Sequence, residues 1–248
     1  MKQLLGSSFK YFKAFRFVKQ HKLWGFVIVP GLVNIAMVVA IIYASFYYSD
    51  QLKETILDQA YEWLDWLPNY MLDSIVFVMS MLIRFVLFAI YLYVYKTLIM
   101  ILLSPMLSYL AEKVRLILTG EEKPFGLEQL IADSIRGIRI ALRSLGMELL
   151  AYMLIFILTF MPIVQFFTPV LLILLQAYFH GFSMLDYCME ARGVGYKESI
   201  LEIKKKKPLA IGNGIGFYTL TLIPIIGWML APTLGVIAAY LSLEGRDE

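Results

Sequence analysis

Two long uncharged stretches set the plan of the chain. Leu23 to Tyr48 carries no charged side chain. At about 1.5 Å per residue, a helix of that length crosses a hydrocarbon core of about 30 Å with some tilt. Ser74 to Leu103 is a second such stretch, interrupted only by Arg84 and Lys96, and both read as transmembrane helices over 23–48 and 74–103. The connection over 49–73 is polar and acidic, and Trp63, Trp66 and Pro68 in it suggest a short amphipathic piece at the interface. Ahead of the first span, over 1–22, Leu4, Tyr11, Phe12, Phe15 and Val18 share an arc of about 120° at helical spacing, with Lys2, Lys10 and Lys13 opposite. That pattern fits an interfacial helix lying on a lipid surface, although Phe17 falls outside the arc and Lys19 inside it.

Beyond the second span the periodicity changes. Ser104 and Pro105 mark an expected break, because proline removes a backbone donor. Over 106–146 two amphipathic helices follow. Leu107, Leu110, Val114 and Ile117 line one; Leu127, Ile131, Ile135, Ile138, Leu142 and Leu145 line the other, with Arg136, Arg139 and Arg143 on its far side. Thr119 and Gly120 supply a stop between them, followed by a turn through Glu121 to Pro124. The remaining apolar segments are short and proline-punctuated. Leu149–Met161 ends at Pro162 and resumes after Pro169; Ile211–Ile223 ends at Pro224 and resumes after Pro232. This is a weak internal repeat. An arm of 13 residues, as in 149–161, reaches only about 20 Å, so 147–185 and 211–243 read as two re-entrant hairpins tipped by these prolines. Four complete short spans are the alternative.

Composition agrees with a bilayer as solvent, with 60% of residues hydrophobic and 17% charged. Charge then sets sidedness. Six basic residues and no acidic one precede the first span, Lys53 alone is basic in the acidic connection, and 106–146 and 186–210 carry six basic residues each. By the positive-inside tendency the N-terminus and both later basic segments lie in the cytoplasm. No cleavable signal peptide is expected, since lysines and Arg16 interrupt the apolar positions near the N-terminus.

Few residues suggest chemistry. Cys188 is the only cysteine, and His21 and His180 lack ligand-type neighbours, so neither a metal site nor a cofactor is expected. No catalytic set or phosphate loop is visible, and the acidic residues cluster in connections; Glu148, at a hairpin mouth, reads as an interfacial charge. The chain is therefore not expected to be an enzyme, nor to bind nucleic acid. Arg84 lies near mid-bilayer, where an unpaired charge costs at least about 2.5–3.5 kcal/mol; it either faces a pathway or is satisfied structurally. Lys96 is explained by snorkelling. Arg136, Arg139 and Arg143 form either an anion-attracting vestibule or a patch for anionic lipid. Lys204 to Lys207 read as a solvated or lipid-facing run, and the proline-bounded turns containing Gln165, Thr168, Gly227 and Thr233 either place unwound backbone N–H groups beside a permeating ion or are only turns.

Phe26-Val-Ile-Val-Pro-Gly-Leu-Val-Asn34, Ser104-Pro-Met-Leu-Ser-Tyr-Leu-Ala-Glu112, Leu118-Thr-Gly120, Leu185-Asp-Tyr187 and the two proline-tipped segments, in this order, resemble the CysZ family of bacterial sulfate permeases. The resemblance implies an all-α integral membrane protein with two long transmembrane helices and two hemi-penetrating hairpins. It also implies a homo-oligomer in the bacterial inner membrane that passes sulfate or a similar oxyanion. Sulfate-binding members carry a Gly-Leu-Arg or Gly-Ile-Arg-Arg element before the first-span motif; here that place reads Lys22-Leu-Trp-Gly25, leaving Lys22 as the cation. A non-transporting protein of the same fold that acts on the bilayer is the competing expectation.

Overall fold

The computed structural model describes residues 2–63, 67–121, 126–223 and 225–245. Trp66, the turn at 122–124 and Pro224 fall outside them. The fold is all-α: α1 (Lys2–Gln20), α2 (Gly25–Trp63), α3 (Asn69–Thr119), α4 (Leu127–Thr159), α5 (Pro162–Ala191), α6 (Tyr196–Lys205), α7 (Lys207–Thr221) and α8 (Ile226–Leu243). Two compact units divide the chain, one holding Met1–Asn34 and Met100–Glu248, the other Ile35–Ile99.

The second unit contains the greater part of α2 and of α3. Val39, Tyr43, Phe77 and Phe85 are exposed there, as side chains facing lipid are. Both helices are longer than their apolar stretches. α2 continues past Tyr48 into the acidic segment, and α3 passes through Ser104 and Pro105 without the expected break. A proline removes a single bond from the ladder, and a helix surrounded by protein or lipid keeps the rest because no water competes for its backbone.

In the first unit α8 is the inner helix. Every residue from Ala231 to Leu241 is buried, in keeping with a segment that is apolar on all sides; α1, α5 and α7 pack around it. The tightest crossing is between α5 and α7. A methyl group added at Gly181 would lie 1.8 Å from the Ala210 carbonyl oxygen, and one at Gly214 would lie 1.6 Å from that of Ala177. The two backbones therefore touch, as small residues allow where helices meet in a membrane.

α1 meets α7 and α8 with a face that shares only Tyr11 and Val18 with the hydrophobic arc. Ser7, Lys10, Tyr11, Ala14, Phe17 and Val18 are buried, whereas Phe9, Phe12 and Phe15 are exposed. The Tyr11 hydroxyl donates to the Asn213 carbonyl at 2.9 Å and Ser8 Oγ to that of Gly212 at 2.8 Å. Lys10 Nζ reaches the Leu241 carbonyl at 3.5 Å, a cation at the negative end of α8. The helix thus carries two apolar faces, one against protein and one exposed, and periodicity alone does not separate them.

Among the described residues, Ile135–Thr159, Pro162–Ala191 and Ile226–Leu243 are long and apolar enough to cross a membrane, and Gly6–Gln20 with Gly25–Ala40 forms a bent pair at 109°. The turns between the paired helices are tighter than the proline spacing. Phe160 and Met161 alone separate α4 from α5, with Pro162 at the first helical position, where its missing donor costs nothing. Pro169 lies inside α5, and Pro232 inside α8.

Replacing Gly214 by Ala is expected to force the α5–α7 crossing apart and lower the melting temperature in detergent. Gly146→Ala, where an added methyl meets nothing within 4 Å, should be neutral or stabilise by about 0.5–1 kcal/mol.

Candidate functional site

The corner between α1 and α2 places a cation beside a helix amino terminus. Lys22 adopts a left-handed backbone (φ 55°) just beyond α1, and the Leu23 amide bonds back to the Val18 carbonyl at 3.0 Å. This is the six-to-one bond of a Schellman stop, with Leu23 and Val18 both buried beneath it. Glycine normally fills that position; lysine does so at a cost of about 1–2 kcal/mol. Lys22 is exposed at the start of α2, whose first backbone N–H groups present partial positive charge. Trp24 packs edge-on to Phe15 at 6.0 Å. Phe26, in the first turn of α2, lies 5.7 Å from the Tyr109 ring, and Lys113 Nζ sits over the Phe26 ring at 5.7 Å. Lys113, which sequence reasoning did not single out, thus adds a second cation near the corner.

The arginine stripe of α4 is divided in its partners. Arg136 Nη2 meets Asp186 Oδ1 at 3.0 Å, its Nε lies 3.7 Å from Glu190 Oε2, and Nη1 donates to the Val194 carbonyl at 2.6 Å. Ser199 Oγ also donates to Asp186. Two more guanidinium groups serve the same end of α5: Arg115 donates to the Ala191 carbonyl at 3.3 Å, and Arg192 pairs with Glu244 at 2.6 Å. Positive groups thus gather at the negative pole of α5 and around its two buried carboxylates. Arg139 instead lies over the Tyr196 ring at 5.7 Å and Arg143 over Phe182 at 5.9 Å, Arg139 remaining exposed. Arg84 falls within α3, and its side chain is outside the described residues, as is that of Lys96.

Further along the α4–α5 seam are two more polar rungs. Glu148 is buried among protein side chains and accepts from the Tyr152 hydroxyl at 2.8 Å; Gln176 Nε2 in turn donates to that hydroxyl. Near the turn, Thr159 and Thr168 hydroxyls are 3.3 Å apart. Asp186, Glu190, Ser199, Tyr152 and Gln176 were missed by sequence reasoning. The Leu185-Asp-Tyr187 motif was the available signal for the first of them. On the exposed side, α6 and the residues after it carry Lys197, Lys204, Lys205 and Lys207, all exposed. There a hydrogen bond from Lys205 holds the Glu202 carboxyl below its usual range, and the same contact raises Lys205.

Long apolar helices with polar seams inside them and basic groups at their exposed ends define a multi-helix membrane protein. The chain belongs to the sulfate transporter CysZ/etoposide-induced protein 2.4 family, whose model matches residues 10–232, a family of transporters and not of enzymes. Similar proteins include a sulfate transporter CysZ of Pseudomonas fluorescens, 26% identical over 209 residues that cover 84% of this chain and 80% of the relative. Another, of Pseudomonas syringae pv. tomato, is 26% identical over 223 residues, 89% of this chain and 85% of the relative.

Arg136→Leu is expected to leave Asp186 and Glu190 buried without their cation and to cost about 3–5 kcal/mol of stability. Arg139→Leu should change it by no more than about 0.5 kcal/mol. Denaturation of both variants in detergent measures the difference. Lys22→Gly should stabilise the corner by about 1 kcal/mol by relieving its left-handed backbone, which a thermal melt reads directly.

Proposed function

We propose that this chain is a permease for a small inorganic oxyanion, sulfate in the first instance, acting as a homo-oligomer in the bacterial inner membrane with its N-terminus in the cytoplasm. The observation that carries the proposal is the family match over residues 10–232, together with relatives named as sulfate transporters that align over most of both chains. The corner at Lys22 supports it, since a divalent oxyanion is favoured where a helix amino terminus and nearby cations meet. Lys22 replaces the planar guanidinium fork with a point charge, so the expected capture is electrostatic and loosely oriented. Arg139 and Arg143, resting on aromatic rings, and the lysines of α6 raise the anion concentration at the cytoplasmic end. Arg84 is the proposed cation at mid-membrane, and Arg136 serves the α5 end structurally. The paired helices α4–α5 and α7–α8, with Pro162 opening α5 and Pro169 and Pro232 inside α5 and α8, enter the membrane as hairpins. Leu149 to Leu185 carries no charged side chain and reverses direction at Phe160 and Met161.

Labelled sulfate should enter vesicles reconstituted with the purified protein. Lys22→Gly should lower uptake at low sulfate while leaving the protein at least as stable, and Arg84→Leu should lower uptake at all concentrations. No flux above protein-free vesicles, from an intact oligomer, would overturn the proposal in favour of a bilayer-structuring protein.

A further inference from the structure

Pro30 stands in the second turn of α2, and Pro232 in the second turn of α8. Each lacks an N–H, so each deprives the carbonyl four residues earlier of its helical donor: Phe26 in α2 and Trp228 in α8. In a membrane no water replaces that donor. Both carbonyls are instead served by a side chain of the opposite helix. Thr233 Oγ1, next to Pro232, donates to the Phe26 carbonyl. Asn34 Nδ2, one turn after Pro30, donates to the Trp228 carbonyl at 3.4 Å and to the Pro30 carbonyl at 2.8 Å. The first bond of Asn34 is the longer and weaker of its two. Thr233 is fully buried, Asn34 nearly so. Between the two bonds the helices press together: a methyl added at Gly31 would lie 2.5 Å from the Met229 side chain. The prolines thus open one acceptor on each helix, and each helix returns one donor to the other.

We propose that Asn34 and Thr233 are positioning residues that lock α2 to α8, holding the first turns of α2, and the corner at Lys22 that precedes them, in place for anion capture. The functional half rests on the permease reading above; the lock itself rests on the geometry alone. Because the hydroxyl of Thr233 stands in for the missing N–H at position 30, its value depends on Pro30. Restoring the N–H makes the hydroxyl dispensable.

The test compares Thr233→Val, Thr233→Ser, Pro30→Ala and the double variant Pro30→Ala with Thr233→Val, as full-length protein, by melting in detergent and by sulfate uptake into vesicles. Thr233→Val keeps the shape and removes the hydroxyl. It should lower the melting temperature by several degrees and raise the sulfate KM about tenfold with a smaller change in maximal rate. Thr233→Ser should match the wild type. The double variant should melt and transport like Pro30→Ala alone, the valine having lost its penalty. Equal damage by serine and valine, an unchanged Thr233→Val, or a valine penalty that persists in the Pro30→Ala background would each overturn the lock. Asn34→Leu, with and without Pro232→Ala, repeats the test on the second bond. Wild-type protein that carries no sulfate would sink the permease reading, while the melting pattern would still decide the lock. A valine penalty in melting with KM unchanged would confine the lock to stability and overturn its positioning role.

Discussion

The crossing of α5 and α7 places most of what lies around it. Where Gly181 and Gly214 bring the two backbones together, no side chain fills the gap, so the relative position of these helices is set within a fraction of a methyl group. The C-terminal half of α5 is fixed as a result, and with it the carboxylates that receive Arg136. On its other side α7 presents Asn213, buried and bonded both to Tyr11 of α1 and to the Gly235 carbonyl of α8. One polar residue thus joins three helices at the point where they crowd α7. Association between helices in lipid gains little from hydrophobicity, so close approach and internal hydrogen bonds take over its role.

A second constraint acts through the backbone. Pro30, Pro105, Pro169 and Pro232 each lie inside a helix. In water each would be a place for a helix to end; in lipid the helix continues and the freed carbonyl needs a donor. Pro30 and Pro232 find theirs in each other's helix, so an apparent defect in local structure becomes a tertiary contact. The turn before α8 is handled differently. The Trp228 indole donates to the Thr221 carbonyl at 3.0 Å, and Ile225 accepts a left-handed φ of 63° to complete the reversal, strained for a β-branched residue.

The fold class was legible because apolar length is a strong signal. Sequence reasoning did less well where two causes leave the same trace. Proline marks a helix end in water and is carried inside a helix here, so Pro105, Pro169 and Pro232 suggested breaks that lie elsewhere or are absent. Phe12 and Phe15 fitted an apolar face yet face outward, while Lys10 fitted a polar face and is buried against the end of α8. The arginine stripe of α4 was visible as a stripe. Its division was not, because the partners of Arg136 are some fifty residues away and single acidic residues in an apolar run carry no mark of what they bind.

That division alters how the chain presents itself electrically. The sequence counts 22 basic against 19 acidic residues, a near balance that suggests a weak and even field. The balance is not even in space. Arg115, Arg136 and Arg192 are turned toward carboxylates and backbone oxygens at one helix end, where their charge is cancelled over a few ångströms. The lysines of α6 and at the α1–α2 corner are exposed, Lys205 of α6 being paired with its neighbour Glu202. Beyond a Debye length of about 8 Å in physiological salt, the solvent feels the second group and hardly the first. A small ion nearing α6 or the α1–α2 corner from solution therefore meets positive charge concentrated there, although the chain as a whole carries a formal charge of only +3.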